Sequence, residues 1–458
     1  MDGLMPYPEY KDSGVPWLGK APARWAVRRG KWLFRNQKEL NRNRANKNVL
    51  SLTLRGVVNN DPDDPEGLVP KDYATYQHFK KGDLVFKLID LENLRTSRVG
   101  FVHEDGIMSS AYVRLIPQTA CDIRFFFHQY FDLYSRGVYN QIGAGVRSTL
   151  GAADLLNVPV LLPDADEQAA IVRFLDHANG RIERAIRAKK KLMALLNEQK
   201  QAIIHRAVTR GLNPNAPLKP SGIHWLGDIP KHWEVTSLRR HWRITDCKHL
   251  TVPFVEDGIP LASVVEVQSF SLNLSGCKKT KANWYRVLID GDRKPKRGDL
   301  IYCRNASVGA CALVETDIDF AMGQDVCLIR SDDQNQTFLN YLLHSPFMDH
   351  QLQMILVGST FKRINVAEIK ALTVLVPPRN EQDAICKFLG SELAIFDTAL
   401  ARTEREIGLL REYRTRLVAD VVTGKLDVRA AAKHLPEAAA EPAVETEPEE
   451  AEVEEAEE

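Results

Sequence analysis

The sequence predicts an α+β chain built as a pseudo-two-fold internal repeat: two globular domains, each followed by one long helix, with the two helices packed on each other as a coiled coil. Three observations predict it. Sets of motifs recur at nearly constant offsets along the 458 residues. Each copy closes a β-branched, strand-like run with proline, at Pro163 and at Pro377-Pro378, and the chain then runs Pro-free to Pro214 and Pro436. Within those stretches apolar residues return every three or four positions, the period of an amphipathic helix.

The repeat comes first because it sets the architecture. Gly14, Trp17, Leu18, Gly19, Pro22 and Trp25 return as Gly222, Trp225, Leu226, Gly227, Pro230 and Trp233, an offset of 208. Lys81, Gly82, Asp83 and Leu84 return as Arg297, Gly298, Asp299 and Leu300, an offset of 216. Pro163, Glu167, Gln168, Ile171, Phe174 and Leu175 return as Pro377, Glu381, Gln382, Ile385, Phe388 and Leu389, and this offset of 214 holds without a gap to Thr209 and Thr423. Between about 35–145 and 243–357 the match is faint, so two common frames carry diverged middles. Runs at 83–88, 299–303 and 325–329 read as strands, and 338–343 as a helix.

The first long helix carries its stripe on Ile171, Leu175, Ile182, Leu192, Leu196 and Ile203, the second on Ile385, Leu389, Phe396, Ile407, Leu410 and Leu417. At 1.5 Å per residue each spans about 65 Å. Neither is stable alone at such exposure, so they are expected to pair. Residues 177–210 carry nine Lys/Arg against two Asp/Glu, and 391–424 five against six, a charge difference that favours the pairing. The expected organisation is a domain at 1–163, a central helix at 164–212, a second domain at 213–377, a C-terminal helix at 378–426 and a tail at 427–458.

With 61 Lys+Arg and 60 Asp+Glu the chain has a formal charge of only +1. Eleven of the glutamates lie in 437–458, which has no basic or aromatic residue and is expected to be a disordered acidic tail. The preceding 436 residues therefore carry +12, which suits a polyanionic partner. No apolar run reaches the ~18 residues of a membrane span, and the N-terminus lacks the basic and apolar regions of a signal peptide. The seven cysteines are odd in number and never in a C-x-x-C pair, as expected of a cytoplasmic protein without disulfides or a zinc knuckle.

No catalytic constellation assembles, and no metal site is expected. Gly14 to Lys20 has the spacing of a phosphate-binding loop, but Ala21 follows where a hydroxyl is needed and Asp228 replaces the lysine in the second copy. A turn anchored by Trp17 and Trp25 accounts for the motif better. Glu167 and Glu381 are read as carboxylates at helix N-termini. The twelve histidines are dispersed. Lys189, Lys190 and Lys191, with Arg181, Arg184 and Arg187, either grip phosphate or form the solvated back of a helix.

What remains is recognition of nucleic acid by the diverged middles. Reading base edges calls for forked donors and acceptors on loops held by a rigid scaffold. In the first copy the candidates are Arg95, Thr96, Ser97, Arg98, Ser109, Ser110, Tyr112, Tyr139, Asn140, Gln141 and Arg147. In the second they are Lys278, Lys279, Lys281, Arg304, Asn305, Ser307, Gln324, Ser359, Thr360, Lys362 and Arg363.

The doubled motifs, at 10–19 with its echo at 221–227, and at 163–175 and 377–389, resemble the specificity subunit of type I restriction-modification systems over nearly the whole chain to about residue 426. The resemblance implies two target-recognition domains, one per half of a bipartite, asymmetric site in double-stranded DNA, separated by two conserved helices that pair as an antiparallel coiled coil. It implies that the chain binds no cofactor and is not itself catalytic. Two modification subunits would supply adenine-N6 methylation from S-adenosylmethionine, and two restriction subunits ATP- and Mg²⁺-dependent cleavage. The competing expectations are a coiled-coil scaffold that binds DNA without sequence specificity, or an enzyme with its own nuclease or methyltransferase site. The first leaves the two diverged domains unexplained, and the second lacks motifs.

Overall fold

The computed structural model describes residues 4–54, 56–61, 70, 72–89, 91, 97–142, 149–356 and 363–436. They divide into two compact units, 1–188 with 406–458, and 189–405. The expected boundaries lay at the helix ends. The units instead cut both long helices near their middles, because each half-helix buries its apolar stripe within the unit it serves.

In the first unit β1 (Ala26–Arg29), β2 (Phe34–Asn36), β3 (Leu84–Phe86), β4 (Val99–Phe101), β5 (Val113–Pro117), α1 (Ile123–Ser135) and β6 (Pro159–Leu162) precede the central helix, Ala165–Arg210. An antiparallel sheet runs in the order β2-β5-β3-β4. β6, the strand closed by Pro163, pairs antiparallel with β1, just after Trp25, so the two ends of the frame meet. Aromatic rings fill the core between sheet and α1, with Phe34 edge-on to Phe126 and Phe86 to Tyr130, each at 5.2 Å. Ile171, Leu175 and Ala178 of the central helix and Leu417, Val421 and Val422 of the C-terminal helix (Arg379–Val422) complete it.

Val428 and Ala432 belong to the same core, and Arg429–Lys433 is helical. The disordered tail expected over 427–458 is corrected for its first ten residues: 427–436 is held to the domain by the buried Val428 and Ala432. Residues 437–458 lie outside the described residues.

The second unit repeats the plan with β7 (Glu234–Ser237), β8 (Arg243–Asp246), β9 (Leu300–Cys303), β10 (Cys311–Leu313), β11 (Val326–Arg330), α2 (Gln336–Leu343) and β12 (Thr373–Val376). Its sheet order, β8-β11-β9-β10, is that of the first unit, and β12 pairs with β7 as β6 does with β1. The middles that look unrelated in sequence therefore share a sheet. Trp233, Leu300, Tyr302, Ile329 and Phe338 form its core with Ile204, Ala207 and Val208 of the central helix and Ile385, Leu389 and Leu393 of the C-terminal helix.

Within each unit the half-helices pair antiparallel. Glu183 faces Arg414 at 3.3 Å in the first unit, and Lys200 faces Asp397 at 2.5 Å in the second. Going from 183 to 200 on one helix corresponds to going from 414 back to 397 on the other, the same step of 17 residues. Of the expected pairing residues Ile171, Leu175, Ile182, Ile385, Leu389, Ile407 and Leu417 are buried, and Leu196, Ile203, Phe396 and Leu410 are half-buried. Leu192 is 45% exposed and is a correction. It lies six residues beyond buried Ile186, about 240° around a helix turning 100° per residue, and so points off the seam. Ile186, Ile204 and Leu393 are buried in addition.

Candidate nucleic-acid interface

Three repeated clamps fix the loops of each unit. Trp25 Nε1 donates to Glu167 Oε2 at 3.0 Å, and Trp233 Nε1 to Glu381 Oε2 at 3.1 Å. The glutamates are thus acceptors for a buried indole, beyond their place in the first helical turn. Gln168 takes the backbone N–H of Asp122, the N-cap of α1, at 2.8 Å and donates to Pro163 O at 2.9 Å, while Gln382 does the same with Asn335 and Pro377 at 2.8 and 2.9 Å. The third clamp is a buried ion pair, Asp83 to Arg114 at 2.5 Å and Asp299 to Arg330 at 2.6 Å. The two arginines stand 216 residues apart, the offset of the Gly-Asp motif, so the sequence itself carries the signal that pairs them. Burial pushes the Asp83 carboxyl upward, against the pull of the Lys80 backbone N–H and Arg114.

The glycine motif is a turn. Leu18 and Gly19 donate their backbone N–H groups to Val15 O, as Leu226 and Gly227 do to Ile223 O, so these amides are not free to cradle a phosphate. Gly19 and Gly227 sit at φ 61° and 72°, which explains the residue type.

On this frame the candidates divide sharply. In the first unit Tyr139 is 1% exposed, its hydroxyl donating to Tyr130 O at 2.9 Å. Arg98 is equally buried, and Ser97 Oγ donates to Val99 O at 2.7 Å. These three are corrections: side chains enclosed in the domain cannot reach a base edge. Tyr112 is half-buried and its hydroxyl is pushed upward by burial. Ser109 and Ser110 are half-buried, their carbonyls accepting from Gln77 at 3.2 Å and Lys38 at 2.8 Å. Asn140 and Gln141 are exposed. Arg95, Thr96 and Arg147 lie outside the described residues.

In the second unit Arg304 is the corresponding correction. It is 5% exposed, and its guanidinium is held by Asp246, with His249 Nε2 at 3.2 Å. Asp246, Cys247 and His249 have the donor types of a metal centre, their ligand atoms lying within 4.8 Å of one another. Arg304 already supplies a cation to that cluster, and burial pushes the Cys247 thiol upward. The structure accounts for the cluster as the seat of an arginine.

The neighbouring side chains converge. Asp325, at φ 60°, accepts from Asn305 Nδ2 at 3.4 Å and pairs with Arg363 at 3.3 Å, and Asn305 and Arg363 are joined by a backbone bridge. Exposed Ser307 and Gln324 border this cluster in sequence, with Gln324 Nε2 donating to Thr251 Oγ1 at 2.9 Å. Lys278 stands over the exposed Phe254 ring at 4.8 Å, Lys279 is half-buried, and Lys281 begins a helix at Ala282–Ile289. Ser359, Thr360 and Lys362 lie outside the described residues. Asp325, Thr251 and Phe254 are the parts that sequence reading misses, since no spacing links them to the loops they support.

No helix among the described residues is long and apolar enough to cross a membrane. The type I restriction modification DNA specificity domain matches residues 30–191 and 276–404, more than half of the chain. The MjaVIII type I restriction enzyme specificity subunit of Methanocaldococcus jannaschii is 23% identical over 284 residues, covering 60% of this chain and 63% of its own length. The EcoBI specificity subunit of Escherichia coli is 21% identical over 332 residues, covering 68% and 69%. The match with the first of these thus spans less than two thirds of that relative. Among solved structures, a chain from work on complex assembly and conformational transition of the type I R-M system superposes with a TM-score of 0.63 at 15% identity, over 89% of this chain and 99% of the other, a likeness of fold. On the match over both halves, the chain belongs to the type I restriction modification DNA specificity domain family.

Proposed function

We propose that this chain is the DNA sequence-specificity subunit of a cytoplasmic type I restriction-modification complex. Each unit reads one half of a bipartite, asymmetric site in double-stranded DNA, and the paired helices fix the spacing and seat the partner subunits. The observation that carries this reading is the coexistence of one frame, held in both units by matching Trp–Glu, Gln–N-cap and Asp–Arg contacts, with middles whose sequence match is faint. A frame that repeats while its loops diverge suits two unlike half-sites. The chain contributes no catalytic group. Two modification subunits supply adenine-N6 methylation from S-adenosylmethionine, and two restriction subunits supply ATP- and Mg²⁺-dependent cleavage.

Replacing residues 35–145 with those of another family member, co-expressing the cognate modification subunit and mapping methylated adenines tests this. One altered half-site is expected. A change in both halves, or methylation that does not depend on this chain, overturns the reading.

A further inference from the structure

Loop 247–255 of the second unit presents apolar side chains to solvent from a backbone that its neighbours hold in place. Val252 is buried in a small core with Leu261, Tyr285 and Leu288. Val255 donates its backbone N–H to Lys279 O at 2.9 Å, and Thr280 Oγ1 donates to Pro253 O at 3.0 Å. Gln324 Nε2 donates to Thr251 Oγ1 at 2.9 Å, and His249 Nε2 lies 3.2 Å from the Arg304 guanidinium. These contacts tie the loop to the chain neighbours of Asp325 and Asn305. Yet Leu250 is 41% exposed and Phe254 54%. A phenyl ring offers water no hydrogen bond, and a loop pinned by Val252 does not need it for its shape. The ring also carries a cation: exposed Lys278 places its ammonium 4.8 Å from the Phe254 centroid. The ammonium takes one face of the ring by cation–π attraction and leaves the edge and the other face open.

We propose that Phe254 is a specificity-determining residue that packs on the 5-methyl group of a thymine in the major groove, while Lys278 meets the adjoining phosphate. Every other feature of a base edge in that groove is a hydrogen-bond donor or acceptor, and the methyl group alone is detected by an apolar surface. Asn305, Gln324 and Arg363 supply donors close by, so an apolar reader completes the set. A ring with a cation on one face cannot slide flat between two base pairs, as an intercalating wedge does. The inference rests on the proposed reading of DNA by the second unit and adds to it a residue that no donor or acceptor pattern in the sequence marks.

The test uses the full chain assembled with its cognate modification subunits, on the site mapped by methylated adenines, in the half that exchange of residues 35–145 leaves unchanged. Each thymine of that half is replaced in turn by deoxyuridine, which lacks only the methyl group, and binding is measured by fluorescence anisotropy. One replacement is expected to weaken wild-type binding about fourfold, the worth of one methyl group taken out of water. Phe254→Ala is expected to lose that discrimination and Phe254→Leu, still apolar, to keep most of it, with melting temperatures unchanged. Phe254→Gln serves in place of the alanine variant if that variant does not fold. Binding indifferent to every methyl group, a half-site without thymine, or a deoxyuridine penalty that persists in Phe254→Ala each overturns the inference and leaves the DNA reading standing. So does a rise in 2-aminopurine fluorescence that depends on Phe254, which marks a wedge between base pairs. Wild-type binding that treats all duplexes alike overturns the DNA reading itself, and the inference with it.

Discussion

Glu167 accepts the indole N–H of Trp25 at 3.0 Å while also taking the Tyr7 hydroxyl at 2.7 Å and an ion pair from Arg24. In the second unit Glu381 holds Trp233 and His232 at 3.1 and 2.7 Å, but in a more open setting, its side chain 23% exposed against 1% for Glu167. Removing Glu167 strands a buried indole, a buried phenol and a guanidinium together. Glu167→Ala is therefore expected to cost about 3 kcal/mol or more, and Glu381→Ala about 1 to 2 kcal/mol. Urea unfolding of the two variants checks the order, and equal losses would contradict it.

The helix seam makes a second contrast. Ile204 and Leu389 are fully buried, whereas Leu192, on the same apparent stripe, is exposed. Ile204→Ala and Leu389→Ala are each expected to destabilise the protein by about 2 to 5 kcal/mol, and Leu192→Ala by less than about 0.5 kcal/mol. Thermal melting measures all three. A large loss at Leu192 would mean that the seam passes through it after all.

These contrasts show what the sequence makes legible. The frame is written as repeated residue types, so Trp25 with Trp233 and Glu167 with Glu381 stand out, although only coordinates reveal that they bond to one another. Helix periodicity marks Ile171 and Leu175, which are buried, together with Leu192, which is exposed, because a stripe extended over many turns accumulates angular drift. The recognition loops are the least legible part. Arg98 and Arg304 have the chemistry of base readers, yet both are buried, and in Arg304 the cause is Asp246, 58 residues away on another strand. Residue type announces donors, while burial, which decides whether they are available, depends on contacts remote in sequence.

His128, half-buried on α1 beside Arg124, has its imidazole pushed down to about 4, by burial first and by the guanidinium second. It is neutral in the folded unit, whereas the unfolded chain takes up a proton near pH 6.5. Stability is therefore expected to fall as pH drops from about 6.5 to 4, with a slope from this group of at most about 1.4 kcal/mol per pH unit. His128→Gln, which keeps a neutral polar side chain, is expected to flatten that part of the curve. Denaturation midpoints at pH 7, 6 and 5 for both proteins check this. Parallel curves would remove His128 as the cause.

Arg304 and Arg363 lie on adjoining strands of backbone and carry the same charge, but the structure gives them opposite roles. Arg304 is enclosed, and its loss leaves the Asp246 carboxylate without its cation, so Arg304→Ala is expected to cost about 3 kcal/mol of stability. Arg363 has a side chain 54% exposed and only a 3.3 Å pair with Asp325 to lose, so Arg363→Ala is expected to leave stability within about 0.5 kcal/mol. If the second unit reads DNA through the cluster around Asp325, Arg363→Ala weakens binding by about 1 to 3 kcal/mol, as for one base-edge contact, and relaxes selectivity in one half-site alone. Binding of the assembled complex to DNA variants in each half-site, measured by fluorescence anisotropy beside melting curves, separates the two roles. Unchanged binding in Arg363→Ala, or lost binding without lost stability in Arg304→Ala, would reverse the assignment.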